Sequence, residues 1–262
     1  MSLAPAAWTP LLLTRKLGRV LCHYAHTLTS TNAVLKELAK AGAPHGSLCL
    51  CEKQTAGRGR LDRRWASPEG QGVWLSVLLR PALKPEDAPL LTFCCALAMA
   101  RAVRQAAGVD AGIKWPNDLV LSGRKVCGVL LELGFDAGGM FVVAGTGLNV
   151  RQAAYPPELA QQATSLEEWA ELPDRGAIIA AYLNELEELV AQVEENGFAA
   201  IAADFRRQCV TLGRPVRVMG AEEFTGTAED VDETGALLVR SGGELRRVLA
   251  ADVSVRGVMG YV

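Results

Sequence analysis

Histidine is scarce in this 262-residue chain. His23, His26 and His45 are the only three, and all precede residue 46. Acid–base chemistry through imidazole therefore has little material. No GxxxxGK[ST] loop occurs, which argues against a P-loop nucleotidase, and no GxGxxG stands between a strand and a helix, which argues against a Rossmann site. No Ser/His/Asp or Cys/His arrangement stands out. The seven cysteines include no CxxC pair. An odd count without zinc spacing, in a chain this long, fits reduced cytosolic thiols. Cys49 and Cys51 alternate with leucines and are expected to pack in the core. No window approaches the roughly 20 apolar residues that span a bilayer, and Leu11, Leu12 and Leu13 are too few for a signal segment. A cytoplasmic protein with no membrane association is expected. A net charge of −2 argues against nonspecific nucleic-acid binding.

Against that low net charge, residues 53–65 (KQTAGRGRLDRRW) are strongly basic: Lys53 and four arginines face only Asp62, giving +4. Gly57 and Gly59 let such a segment turn tightly and present backbone N–H groups, and the arginines supply guanidinium forks for an anion. A loop folding over a phosphate or carboxylate is one reading; a basic surface loop is the other.

Half of the residues are hydrophobic, enough for one large domain or a main domain with a small appendage. Ser30, Thr31 and Asn32 are all good N-cap types, and they precede a helical segment ended by Gly42. One cap needs one side chain, so the surplus suits a polar ligand at the helix N-terminus. Residues 47–52 and 73–79 read as strands. Residues 90–107 form an apolar helix stopped by Gly108 and packed on all sides. Residues 113–133 alternate strand and turn, with turns at Pro116-Asn117-Asp118 and Ser122-Gly123. Residues 140–150 add a strand. Residues 151–173 read as a loop carrying Pro156, Pro157 and Pro173, and helices are expected at 175–195 and 198–209. The predicted class is α+β, a mixed sheet with flanking helices, the helices on one face. From Gly213 onward about five short strands with turn residues between them read as a small β-barrel. The expected organisation is a catalytic domain over 1–212 and a small C-terminal β-barrel over 213–262.

Two further islands carry chemistry. In the first, Lys114, Asn117 and Asp118 stand around a proline turn with Trp115, and Lys125 and Gly128 follow on the next strand. A cation for phosphate, an amide for selection and a carboxylate for metal or ribose are combined there, although each lysine alone could be a solvated strand end. In the second, Gly145-Thr146-Gly147-Leu148-Asn149 allows close backbone approach, although it could be a structural turn. Such a set supports attack by an already ionised carboxylate on a nucleoside triphosphate, which needs cations at the α-phosphate rather than a general base.

In their order and joint presence, STN at 30–32, QTAGRGR at 54–60 with Arg64-Trp65, KWPNDL at 114–119, GRKVCGVLLEL at 123–133 and GTGLNV at 145–150 resemble the biotin protein ligases, the biotin–[acetyl-CoA-carboxylase] ligases. The resemblance implies a class II synthetase-like catalytic domain of the lipoate/biotin ligase kind and an SH3-like C-terminal barrel. It implies two half-reactions: biotin attacks Mg-ATP to give biotinyl-5′-AMP, and a lysine of a biotin carboxyl carrier protein, an acetyl-CoA carboxylase subunit, then takes the biotin. It implies biotin contacts from Ser30, Thr31, Asn32, Gln54, Gly57, Arg58, Gly59, Arg60, Lys125 and Gly128. ATP would meet Arg60, Trp65, Lys114, Asn117, Asp118 and Asn149, with Asp118 toward Mg2+. Lys125, Arg60 and Lys114 would be the catalytic cations. A loop that excludes water suits an acyl-adenylate. Leu61-Asp62 departs from the family, which usually places arginine and glycine after GRGR. Loop ordering, adenylate retention or a homodimer contact could differ there. Only 29 residues precede Ser30, so no DNA-binding helix-turn-helix is expected. The alternatives are a lipoate or related acyl-carrier ligase on the same scaffold, and a non-catalytic biotin-binding regulator.

Overall fold

A computed structural model describes residues 3–151, 161–220, 222–250, 254–257 and 261. Pro156 and Pro157, assigned to a loop from the sequence, lie outside these described residues.

The larger sheet has seven strands: β1 Cys22–Leu28, β2 Leu48–Gln54, β3 Gly72–Leu79, β4 Gly112–Lys114, β5 Asp118–Leu121, β6 Arg124–Asp136 and β7 Gly139–Asn149. Their order is β1-β2-β3-β7-β6-β5-β4, and only β1 and β2 run parallel, so the sheet is mixed. Turns at Pro116-Asn117 and Ser122-Gly123 separate β4, β5 and β6, while Asp118, expected in the first turn, opens β5. They bring Lys114 and Asp118 to directly paired positions, with Gly128 opposite Asp118 on the other side.

Among the described residues four helices flank the sheet: α1 Thr31–Lys40, α2 Leu90–Ala107, α3 Arg175–Asn196 and α4 Ala199–Gln208. Gly108 ends α2 in the left-handed conformation, φ 67°, where a glycine C′ residue pays no Cβ penalty. The expectation that all helices share one face is corrected. Leu35 and Ala39 of α1 pack with Cys49, Leu78, Phe141 and Val143. The neighbouring Leu48, Leu50, Val77 and Leu79 point to the other face and join the core of α2, α3 and α4. Successive strand residues face opposite sides, so the unbroken apolar run of β3, buried at every position, serves two cores. The expectation that no window approaches a membrane span is corrected: residues 85–107 reach that length and hydropathy, although two-thirds of their most apolar 18-residue window is buried inside the protein, as in a core helix.

The smaller sheet holds β8 Pro215–Met219, β9 Phe224–Val231, β10 Leu237–Ser241, β11 Glu244–Val248 and β12 Ser254–Gly257, in the order β11-β10-β9-β8-β12. All its pairings are antiparallel. Among the described residues this sheet stays open between β11 and β12, so the expected barrel is an incompletely closed one. It is seated on the larger unit. Trp115 is fully buried, donating its indole N–H to Gly235 O (3.0 Å) and its backbone N–H to Thr211 Oγ1 (2.9 Å).

Candidate active site

Every candidate residue named from the sequence except Gly57 lines a single cavity of about 250 Å³. It lies over the sheet between the start of α1, the arginine loop, the β4–β6 turns and the edge of the smaller sheet. Gly57 does structural work beside it: a Cβ there would stand 2.4 Å from Trp65 O, across a close backbone approach that only glycine permits.

One end of the cavity is polar and buried. Ser30 is the N-cap of α1, yet its side chain makes no capping bond. Thr31 donates its backbone N–H (2.9 Å) and hydroxyl (3.2 Å) to Gln54 Oε1, and Gln54 Nε2 donates to Ser67 Oγ (2.7 Å). The Ser76 hydroxyl lies 2.8 Å from Thr31 Oγ1 and 2.6 Å from Asn32 Oδ1. Asn32 Nδ2 donates to Glu132 Oε2 (2.9 Å). Gly145 makes room for Asn32: a Cβ there would fall 2.1 Å from Asn32 Oδ1. Three N-cap types in a row thus serve a hydrogen-bonded corner more than the helix end.

The arginine loop is a hairpin. Arg58 pairs with Arg64 in an antiparallel bridge, Gly59 N–H donates to Arg63 O (2.7 Å) and Trp65 N–H to Gly57 O (2.9 Å). Its tip is Leu61-Asp62, both left-handed at φ 54° and 55°. Arg58 Nη2 holds both oxygens of Glu132 (3.0 and 2.8 Å). Arg60 donates to Asn117 Oδ1 (3.0 Å) and to Ala250 O at the edge of the smaller sheet. Asn117 in turn donates to Val129 O (2.8 Å). Arg58, half-exposed, and Arg60, partly buried, are thus tied to opposite walls of the cavity.

The other end is cationic. Lys114 is 6 % exposed. Burial lowers its pKa from 10.5 to about 8; Asp118 works the other way, and Lys125, Arg256 and Arg60 push it further down. The Lys125 ammonium stands 2.6 Å from Asp118 Oδ1 and 5.0 Å from the Trp65 ring centroid. Asp118 is buried, which opposes ionisation, but Lys125 and Lys114 beside it hold its carboxyl below the usual carboxylate range. Tyr261 donates its hydroxyl to Asp118 Oδ2 and places its ring 4.2 Å from Lys114 Nζ. Asn149 Nδ2 donates to Thr164 O (3.0 Å). Gly128 and Gly147 keep the floor open, since a Cβ on either would meet Lys125 or Trp65 within 3.1 Å.

The fit to a divalent metal is poor. Among the described residues Asp118 is the one carboxylate lining the cavity, and its two oxygens already face Lys125 and Tyr261. Among the described residues no group of three His, Cys, Asp or Glu side chains could hold an ion. The donor set suits a magnesium ion carried in on triphosphate oxygens, the usual way Mg2+ enters nucleotide sites, rather than one caged by this chain.

Glu132, Ser67, Ser76 and Tyr261 complete the site and were not singled out from the sequence. Ser76 sits inside an apolar strand, where a lone buried hydroxyl is a signal that could have found it. Tyr261 carries no such signal.

Comparison with known proteins followed the same lines. The Biotin/lipoate A/B protein ligase family pattern matches residues 24–149, and the Biotin protein ligase C terminal domain pattern matches residues 211–256. The chain is 35 % identical over 237 residues to the bifunctional ligase/repressor BirA of Bacillus subtilis, spanning 88 % of this chain and 73 % of that one. It is 39 % identical over 232 residues to the biotin–[acetyl-CoA-carboxylase] ligase of Mycobacterium tuberculosis, spanning 86 % and 85 %. Among solved structures it resembles the biotin protein ligase of Aquifex aeolicus in complex with biotin and ATP, with a TM-score of 0.80, 28 % identity, and 90 % and 99 % of the two chains covered.

Proposed function

This chain belongs to the biotin protein ligase family, and we propose on that premise that its cavity activates biotin with ATP and delivers it to a lysine of a carrier protein. The observation that carries the proposal is the polarity of the cavity: a neutral hydrogen-bonding corner at Ser30, Thr31, Asn32 and Gln54, and a cluster of Lys114, Lys125 and Arg60 at the other end. A ligand with a cyclic urea at one end and a carboxylate at the other matches both.

In the first half-reaction a biotin carboxylate oxygen attacks the α-phosphorus of ATP. The bond from that phosphorus to the bridging oxygen breaks, and pyrophosphate leaves with the electron pair. Charge grows on the α-phosphoryl oxygens, where Lys125, Lys114 and Arg60 are proposed to stand. Preorganised cations act there without reorganisation and are worth most in a water-poor cavity. Asn117 orients Arg60, and Asp118 orients Lys125. Arg58, Gly59 and Arg60 of the hairpin, with Gly57 shaping it, cover the carboxylate. Trp65 and Asn149 are assigned to the adenine side, and Gly128 to the floor under Lys125. Magnesium would come in on the triphosphate as Mg-ATP, while Asp118, its oxygens facing Lys125 and Tyr261, orients those groups instead of caging the ion. In the second half-reaction a carrier lysine amine attacks the acyl carbon of biotinyl-5′-AMP, the carbon–oxygen bond to phosphate breaks, AMP leaves, and the amine loses its proton.

The carrier is proposed to be a biotin carboxyl carrier domain of acetyl-CoA carboxylase. The described residues ahead of Ser30 form two 3-10 turns and β1, with Leu3, Trp8, Leu12 and Leu17 buried in the core. A gel shift with operator DNA tests for DNA binding, and sedimentation tests the homodimer. Seven free cysteines support a reducing, cytoplasmic setting. A catalytic unit over 1–212 with a second unit over 213–262 remains the proposed division, supported by the two separate sheets.

The test is incubation with ATP, biotin and an apo carrier domain, read by mass. A gain of one biotinyl group on the carrier is expected. No gain with biotin but a gain with lipoate would make the chain a lipoate ligase. Adenylate formation without any transfer would leave a biotin-binding regulator.

A further inference from the structure

Glu132 lines no part of the cavity, yet three elements of the site meet on it. It lies on β6 with its side chain 15 % exposed. Its carboxylate accepts both contacts from Arg58 Nη2 (3.0 and 2.8 Å) and the Asn32 amide (2.9 Å), with the Lys36 ammonium at 3.6 Å. Arg58 belongs to the hairpin, Asn32 to the polar corner, Lys36 to the next turn of α1. The Asn32 amide is fixed from its other side as well. Its oxygen faces the Ser76 hydroxyl at 2.6 Å, and Gly145 has no side chain to push it away. Glu132 therefore selects which edge of Asn32 faces inward and at the same time holds one strand of the hairpin.

We propose that Glu132 is a positioning residue that latches the arginine hairpin to the biotin corner, so that the loop stays closed while the adenylate waits for its acceptor. The proposal rests on the ligase function above. A charged, half-buried pair is stronger than a neutral hydrogen bond, whereas a wholly exposed pair would contribute little. Here one partner is nearly buried and is shared with a neutral amide, which an opening of the hairpin would leave to Glu132 alone. The physical consequence is directional. Loss of the latch acts on retention of a reactive intermediate more than on its formation, because Lys114 and Lys125 lie on β4 and β6 away from the hairpin, and Arg60 has its own hold on Asn117 and Ala250.

The test uses the full-length protein with biotin and Mg-ATP and no carrier. AMP released by hydrolysis of leaked adenylate is followed beside biotin-dependent pyrophosphate formation in the first turnover. Glu132→Gln keeps an acceptor for Asn32 and loses the charge. It is expected to raise AMP release about tenfold, as loss of one charge-assisted pair implies, with first-turnover adenylation changed less than about threefold. Arg58→Met should raise AMP release similarly, and Arg58→Lys should restore most of the retention. The double variant should leak no faster than the worse single, since partners in one contact are non-additive. Additive leaks, or a Glu132→Gln variant that retains adenylate as the wild type does, would overturn the latch. Equal losses in adenylation and retention would overturn it too, in favour of a purely structural role. A wild-type protein that forms no AMP or pyrophosphate with biotin would instead sink the ligase function itself.

Discussion

Gly147 and Trp65 meet at the floor of the cavity, where a Cβ on Gly147 would stand 2.4 Å from the indole Nε1. Trp65 is wedged there edge-on to Trp74, with centroids 6.5 Å apart and planes at 71°, and its buried Nε1 has no hydrogen-bond partner among the described residues. Gly147→Ala therefore displaces an indole that also lies under the Lys125 ammonium. Overpacking of this kind costs roughly 1–3 kcal/mol. With Trp65 at the adenine side, KM for ATP should rise about tenfold, on the same order as that cost, while biotin affinity measured without ATP stays near wild type. Parallel losses in both affinities would contradict the assignment.

Lys114 sets a pH dependence with two signs. Burial, the largest cause, lowers its pKa from 10.5 to about 8. The native state thus binds fewer protons here than the unfolded chain once pH exceeds about 8. The destabilisation is complete below pH 8 and disappears as pH rises toward 10.5, so this group makes the fold relatively more stable across that window. The site runs the other way, because the cation for phosphate fades above pH 8. KM for ATP should climb from pH 7 to 9.5 in the wild type. Lys114→Met should show a high, flat KM and, at pH 7, a melting temperature raised by a few degrees, about 2–4 °C for each kcal/mol relieved in a chain of this size. A wild-type KM flat to pH 9.5 would contradict the role.

Leu61-Asp62 marks the hairpin tip, where both residues are strained. Both residues are left-handed, a conformation that costs a non-glycine residue about 1–2 kcal/mol. Two consecutive left-handed positions favour Asn-Gly. Leu61→Asn with Asp62→Gly should relieve part of that strain and slow AMP release without carrier. Unchanged or faster release would show that the tip does not govern closure.

Ser67 orients Gln54 from behind, accepting its Nε2 at 2.7 Å. Ser67→Ala leaves that amide donor unmet in a partly buried place, a loss of about 1–3 kcal/mol. Biotin affinity by calorimetry should fall about tenfold, in line with that penalty, with KM for ATP little changed. A selective effect on ATP would place Gln54 elsewhere in the reaction.

The sequence was most legible where local chemistry decides structure. Gly108 stops α2, Ser122-Gly123 turns β5 into β6, and Pro116-Asn117 separates β4 from β5, as their residue types require. The loop, the polar corner and the lysines were separately visible, and β-pairing made them one cavity. Illegible was whatever depends on distant pairing. The apolar run of β3 announces burial on both faces but not that, among the described residues, α1 is the helix that covers one of them. Glu132 reads as an ordinary strand residue until β6 brings it beside Asn32 and Arg58, 100 and 74 positions away. Tyr261 reaches Asp118 across 143 positions. Ser30-Thr31-Asn32 shows the same limit from the other side, since three cap types in a row announce a helix start whether or not they cap.

The central claim is that this cavity joins biotin to AMP through Lys125. The most direct measurement is biotin-dependent exchange of labelled pyrophosphate into ATP, in wild type and Lys125→Ala, with the folding of both checked by melting. Wild type is expected to exchange with biotin and not with lipoate. Lys125→Ala is expected to fall by at least about a hundredfold, the scale of removing a preorganised transition-state donor. Exchange in the variant at the wild-type rate, or no biotin-dependent exchange in the wild type, would contradict the account.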